Sequence, residues 1–183
     1  MKKDLAVIYY LTTKFDHLYQ TMLYKLLFYI DFSYFCSMEN SLTWSVYYKL
    51  PYWPVPLSIK TKIDSIINQE SELEMEDPSD EDIPEYRKYI SVTKEISSGY
   101  VKWIIWGKGN LDISHILNKE EISFIDDVLE KVRCKISEIE KKDVKLNEIK
   151  TNSIVQISHE EDAYINADMY QPLFYWFADS LKI

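Results

Sequence analysis

Leu5, Ile8, Tyr9, Thr12 and Phe15 recur at helical spacing, which predicts an amphipathic helix near the start of the chain. Lys14-Phe15-Asp16-His17 reads as a connection, and a second helix is predicted from about Leu18 to Phe35. Leu23, Leu26, Leu27, Ile30 and Tyr34 line one side of that helix, while Met22, Phe28, Tyr29 and Phe32 occupy most of the rest. A helix that is apolar nearly all round is enclosed by its neighbours, so this one is expected at the centre of the fold. Ser41–Tyr48 is rich in aromatic and β-branched residues and suits a strand or extended segment. Pro51, Pro54 and Pro56 mark a rigid turn, because each fixes φ and restricts the residue before it. Pro54 or Pro56 is expected in the first turn of a third helix, whose apolar stripe is Ile59, Ile63, Ile66 and Ile67.

Residues 70–85 break the pattern with nine acids, no lysine or arginine, and Pro78 and Pro84, which predicts an acidic loop. Tyr86–Ile96 and Tyr100–Trp106 read as the strands of a hairpin turning at Ser97-Ser98-Gly99. Asn118, with Glu121 three residues on, has the form of a capping box. It opens a helix in which Ile122, Ile125, Leu129, Val132, Ile136 and Ile139 step by threes and fours. That stripe is a core face or a short coiled-coil seam. Shorter helices are expected around Asn147–Ile157, Glu160–Asp168 and Pro172–Leu181. The expected fold is α+β and mostly helical. A buried central helix is surrounded by helices, with a small antiparallel β-hairpin element. Residues 1–183 form a single domain with an acidic loop at 70–85 and an aromatic C-terminal helix at 171–182.

Composition narrows the function. The 183 residues carry 21 Lys+Arg against 30 Asp+Glu, a formal net charge of −9. That balance disfavours a general phosphate-backbone binder. The nine acids of the 70–85 segment account for the whole excess, so the remainder is formally neutral. Gly99, Gly107 and Gly109 are the only glycines, too few and too clustered for a dinucleotide fingerprint or a P-loop. Cys36 and Cys134 lack any CxxC context and read as buried reduced thiols. The Met1–Leu11 segment lacks a small-residue cleavage site, and Met22–Phe35 is interrupted by Lys25 and Asp31. The chain therefore reads as soluble and cytoplasmic, with no membrane partner.

No catalytic constellation assembles. The histidines are His17, His115 and His159. Ser158-His159-Glu160-Glu161-Asp162 resembles the start of a zinc-protease motif, but Ala163 stands where the second histidine is required. The same residues also read as a helix start, with Ser158 capping and acids at the positive end of the dipole. Asp126-Asp127 point about 100° apart on a helix, which fits a solvated surface better than a carboxylate pair. No metal ligands and no cofactor are implied. Lys25 in the most apolar helix is either a motif or partner anchor or a lysine snorkelling at the core rim. Asp31 lies on another side of that helix. The aromatic runs Tyr47-Tyr48, Tyr52-Trp53, Trp103/Trp106 and Phe174-Tyr175-Trp176-Phe177 supply residues that protein interfaces favour.

Four of these segments carry a resemblance. Lys25-Leu26-Leu27-Phe28-Tyr29-Ile30-Asp31 resembles the "KLLYFAD" helix of the Panacea domain, also called the SocA-like or GepA-like antitoxin domain. Leu42-Thr43 followed by Tyr52-Trp53-Pro54-Val55-Pro56 resembles its "LTG…YGPVP" segment. Leu117–Glu121 running into Ile125–Leu129 resembles "LSxEE…IDEVL", and Ser158–Tyr164 resembles "SHEExPW". The order matches, with Trp53 in place of a glycine and Tyr164 in place of a tryptophan. The resemblance implies an antitoxin of a bacterial or mobile-element toxin–antitoxin system that neutralises a protein toxin by direct binding. The toxin is expected from the adjacent gene. One branch implies a proteolytic adaptor that hands its partner to a protease. A hydrolase using His159 and Glu160 is the reading from a different class. Lys25, Tyr29, Asp31, Tyr52, Trp53, Pro54, Pro56, His159, Glu160 and Asp162 are the candidate partner-binding or motif residues.

Overall fold

A computed structural model of the chain describes residues 2–50, 53–70, 81–97 and 99–154. The chain opens with α1 (Lys3–Thr12), a two-residue strand β1 (Leu18–Tyr19) and the long helix α2 (Gln20–Met38). A short hairpin follows, β2 (Tyr47–Leu50) and β3 (Trp53–Pro56), leading directly into α3 (Leu57–Glu70). Then come α4 (Ile83–Tyr89), β4 (Ile90–Ser97), β5 (Tyr100–Gly107) and α5 (Lys119–Glu140). Single 3-10 turns lie at Ile113–His115 and Leu146–Glu148. The larger sheet is antiparallel with order β1-β5-β4, and β2 and β3 form a separate antiparallel pair. The fold is mostly helical α+β, as the sequence predicts.

The apolar circumference of α2 explains its position. Met22 through Phe28, Ile30 and Asp31 are all buried, enclosed by α1, the larger sheet, β3 and α5. α1 buries Asp4, Leu5, Ala6, Val7, Ile8 and Leu11. α5 contributes Ile125, Leu129, Val132 and Ile136, all within the same core. Its stripe is therefore a core face, and Phe124 meets Tyr34 of α2 edge-on at 5.1 Å. The capping box is complete. Asn118 accepts from the Glu121 N–H at 2.8 Å, and Glu121 accepts from the Asn118 N–H at 2.9 Å.

Several boundaries differ from expectation, each for a physical reason. α2 begins at Gln20 because Leu18 and Tyr19 pair with Ile105 and Ile104, a ladder too short to leave a periodic signature. Of the strand expected over 41–48 only Tyr47 and Tyr48 are paired, within β2, since Ser41–Val46 is held by side-chain hydrogen bonds. Pro54 and Pro56 lie in β3, opposite Lys49 and Tyr47, and the helix begins only after them. Tyr86 sits in α4 rather than in a strand, and the hairpin strand starts at Ile90.

The ends of the acidic loop expected over 70–85 are ordered differently. Glu70 ends α3, and residues 81–85 form a turn and the start of α4, while residues 71–80 lie outside the described residues. Asp82 is tied down by the ammonium groups of Lys2 and Lys62. Lys62 itself is buried, 3.3 Å from Asp4 and from Asp82 and 4.9 Å from the centre of the Tyr86 ring. Cys36 and Cys134 are exposed, not buried, since both fall on outward faces of their helices. The helix expected over 147–157 begins as a 3-10 turn followed by one helical turn at 151–154. The two later helices, including the aromatic one at 171–182, lie outside the described residues.

Candidate functional site

The candidate residues of α2 separate by depth. Lys25 is 2% exposed, so it lies within the core rather than snorkelling at its rim. Tyr29 is half-buried beside Phe28, at a ring separation of 6.1 Å. Asp31 is 3% exposed and organises the segment that follows the helix. Its Oδ1 accepts from the Thr43 N–H at 2.9 Å, and its Oδ2 accepts from the Tyr47 hydroxyl at 2.8 Å and from the Thr43 hydroxyl. The Ser41 hydroxyl is a further partner. A buried carboxylate is costly unless its lone pairs are satisfied, and here donors converge from one short stretch of chain.

The hydroxyls form an ordered chain. The single proton of Thr43 goes to Asp31, so the Ser45 hydroxyl, 2.8 Å away, donates to Thr43 Oγ1. The Ser45 N–H also reaches Thr43 Oγ1 at 3.3 Å, and the Trp44 N–H donates to Ser41 Oγ at 3.0 Å. Burial pushes the Asp31 carboxyl above its ordinary value, while the hydrogen bonds from Thr43, Tyr47 and Ser41 pull it back part of the way. The Tyr47 hydroxyl is pushed well up, first by burial and then by the neighbouring Asp31.

This latch fixes an outward face. Burial alternates along the segment: Ser45 and Tyr47 point inward, and Trp44, Val46 and Tyr48 point to solvent. Trp44 is 67% exposed, and its backbone is left-handed at φ 58°. That conformation costs a residue with a β-carbon about 1–2 kcal/mol. Phe32, the first exposed position of α2 beyond Asp31, stacks on Phe28 at 5.9 Å, and Phe28 meets Tyr47 edge-on at 5.5 Å. These ring contacts tie the exposed Phe32, through buried Phe28 and Tyr47, to the loop that carries Trp44. Between Phe32 and Tyr48 the only charged residue is Glu39.

The other candidates are placed as follows. Pro54 and Pro56 are buried in β3 against α2, on the structural side of the hairpin. Trp53 is the first residue of β3. Tyr52, His159, Glu160 and Asp162 lie outside the described residues. Asp126 is bound by the Tyr10 hydroxyl at 2.9 and 2.8 Å and by Lys14 at 2.8 Å, so it is a structural carboxylate rather than a merely solvated one. His17 packs against Tyr19 and Trp106, and His115 lies in the open, 3.3 Å from Asp112. Among the described residues no cluster of three or more His, Cys, Asp or Glu side chains is arranged to hold a metal ion. Among them, too, no helix is long and apolar enough to cross a membrane.

Sequence reasoning missed Ser41, Thr43 and Tyr47 as the partners of Asp31, and Ser45 behind Thr43. The available signal was an acid inside an apolar helix, which demands donors, followed closely by a Ser-x-Thr-x-Ser run.

The fold is that of a small helical α+β domain threaded on one buried helix, with a buried polar latch and an exposed uncharged face. The chain belongs to the antitoxin SocA-like, Panacea domain family, whose model matches residues 23–165. The matched span starts within α2 and includes the latch, both sheets beyond β1, and α5. Neither the curated proteins nor the solved structures gave a match.

Proposed function

We infer that this chain is the antitoxin of a toxin–antitoxin pair and that it neutralises a protein toxin by direct binding. Family membership supplies the antitoxin role and a protein toxin as the partner class. The observation that supports masking by contact is the uncharged aromatic face of Phe32, Trp44, Val46 and Tyr48, held in place by the Asp31 latch. Interface cores are depleted of charge and enriched in aromatic residues, and this face has both properties. The role is binding, not catalysis.

The test is co-expression with the product of the adjacent gene. That product alone should arrest growth, and this chain should restore growth while the toxin persists in the cell and co-purifies with it. Restored growth with disappearance of the toxin would assign the chain to proteolytic delivery instead. A product harmless alone, or toxic despite this chain, refutes the antitoxin reading for that pair. Rescue that survives His159→Ala removes the hydrolase reading.

A further inference from the structure

We propose that the Trp44 indole is the anchor by which this chain engages its partner, and that the partner is a basic protein presenting an uncharged, indole-sized apolar pocket. The proposal rests on the antitoxin reading above and adds the surface and the chemistry of what covers it.

Trp44 combines three properties that its own fold does not explain. Its backbone is held in the left-handed region at φ 58°, which a residue with a β-carbon avoids. Its side chain is 67% exposed, so the core gains little from so large an apolar group. The residues on either side are nonetheless fixed. Ser41, Thr43 and Ser45 are all buried, Ser41 receives the Trp44 N–H, and Thr43 is bound to Asp31. A strained, solvent-facing aromatic on a rigid, over-determined loop is pre-organised for a contact outside the chain. Little conformational freedom remains to be lost on binding.

The surroundings define what fits. Val46 and Tyr48, two and four residues after Trp44, are exposed as well, and the exposed positions of the second half of α2 before Glu39 are Phe32, Cys36, Ser37 and Met38. None of these carries a charge, in a chain of which 28% is charged. A partner covering this ground loses affinity for every charge it buries there, so its central contact is apolar. The net charge of −9, which resides in residues 70–85, attracts a basic protein at longer range.

The experiment measures binding of the purified adjacent gene product, with growth rescue and unfolding measured on the same variants. Trp44→Gly removes the indole and relieves the left-handed backbone. It should unfold no more easily than the wild type, yet bind about 30-fold or more weakly and fail to rescue growth. Val46→Lys, a surface change beside the anchor, should also weaken binding. Ile96→Glu, on the separate exposed hairpin tip of β4, should bind as the wild type does. Wild-type association should slow as salt is raised.

Trp44→Gly binding within threefold of the wild type overturns the anchor while leaving the antitoxin reading intact. So does a loss confined to Ile96→Glu. A wild-type chain that neither binds nor rescues overturns the antitoxin reading, and the proposal falls with it. A change from dimer to monomer in Trp44→Gly, with partner binding unaltered, assigns the indole to self-association and refutes the proposal. Association indifferent to salt refutes the basic partner. Should Trp44→Gly fail to fold, wild-type binding by Val46→Lys refutes the anchor on its own.

Discussion

Replacing Asp31 separates the shape of its carboxyl group from its charge. In Asp31→Asn the amide oxygen can occupy the Oδ1 position, where it still accepts from the Thr43 N–H. The amide NH2 then faces the Thr43 and Tyr47 hydroxyls, and both can rotate to accept. Asp31→Ala offers no such exchange. It strands a backbone N–H that cannot reverse, together with the Tyr47 hydroxyl, and each buried unsatisfied group costs about 1–3 kcal/mol. The expected loss is about 2–4 kcal/mol for alanine and about 1 kcal/mol or less for asparagine at neutral pH, measured by urea unfolding. A pH series sharpens the comparison. Burial raises the native Asp31 carboxyl above its ordinary value of 3.8, so the folded chain holds that proton more tightly than the unfolded chain does. The contribution to stability is therefore fully present below the ordinary value and is lost as pH rises through the raised one. Asparagine carries no such loss, so its stability relative to the wild type should improve as pH rises above about 4. Taking the difference removes Asp82 and Glu140, whose lowered values give slopes of the opposite sign. If asparagine is as damaging as alanine and its stability relative to the wild type falls as pH rises, the charge rather than the shape holds the loop, and the reasoning fails.

Asn118→Ala removes the acceptor of the Glu121 N–H and should cost about 1 kcal/mol in thermal or urea unfolding, with Asn118→Asp restoring most of it. Gly107→Ala places a methyl group 2.5 Å from Thr12 Oγ1 and 3.1 Å from the Tyr9 ring, forcing α1 and β5 apart. A loss of about 1–3 kcal/mol is expected, and an unchanged urea midpoint would show that α1 yields freely. Deleting residues 71–80 removes five acids and takes the net charge from −9 to −4. It should flatten the salt dependence of toxin association and leave the urea midpoint unchanged, whereas a deletion reaching Asp82 should lower that midpoint by breaking the Lys2 and Lys62 contacts.

The central helix, the amphipathic α5 and its capping box were legible because each rests on local chemistry or on a period sustained over several turns. The stripe of Ile125, Leu129, Val132 and Ile136 and the Asn118–Glu121 pair need nothing from the rest of the chain to announce themselves. The β2–β3 hairpin was hidden behind Pro54 and Pro56, which suit a first helical turn as well as a short strand end. β1 was hidden by its length, since two residues show no alternation. Lys25 and Asp31 stood out as charges in an apolar helix, but their depth depends on what encloses α2. The partners of Asp31 lie 10 to 16 residues away, beyond any helical spacing rule. The exposure of Trp44 was equally invisible, because an aromatic residue in an extended segment reads first as a core residue.

The sequence distances of these contacts set an order of assembly. The latch closes between Asp31 and residues 10 to 16 positions later, a short loop with a small closure entropy. α1 is sealed by partners at the far end of the domain: Lys3 with Glu121, Tyr9 with the Gly109 carbonyl and Tyr10 with Asp126, separations of 118, 100 and 116 residues. During vectorial synthesis the loop bearing Trp44 can therefore close on itself long before α1 can seal. The apolar side of α1 can pack on α2 and β5 once those have emerged, but its polar rim is tied down only when the start of α5 has left the ribosome.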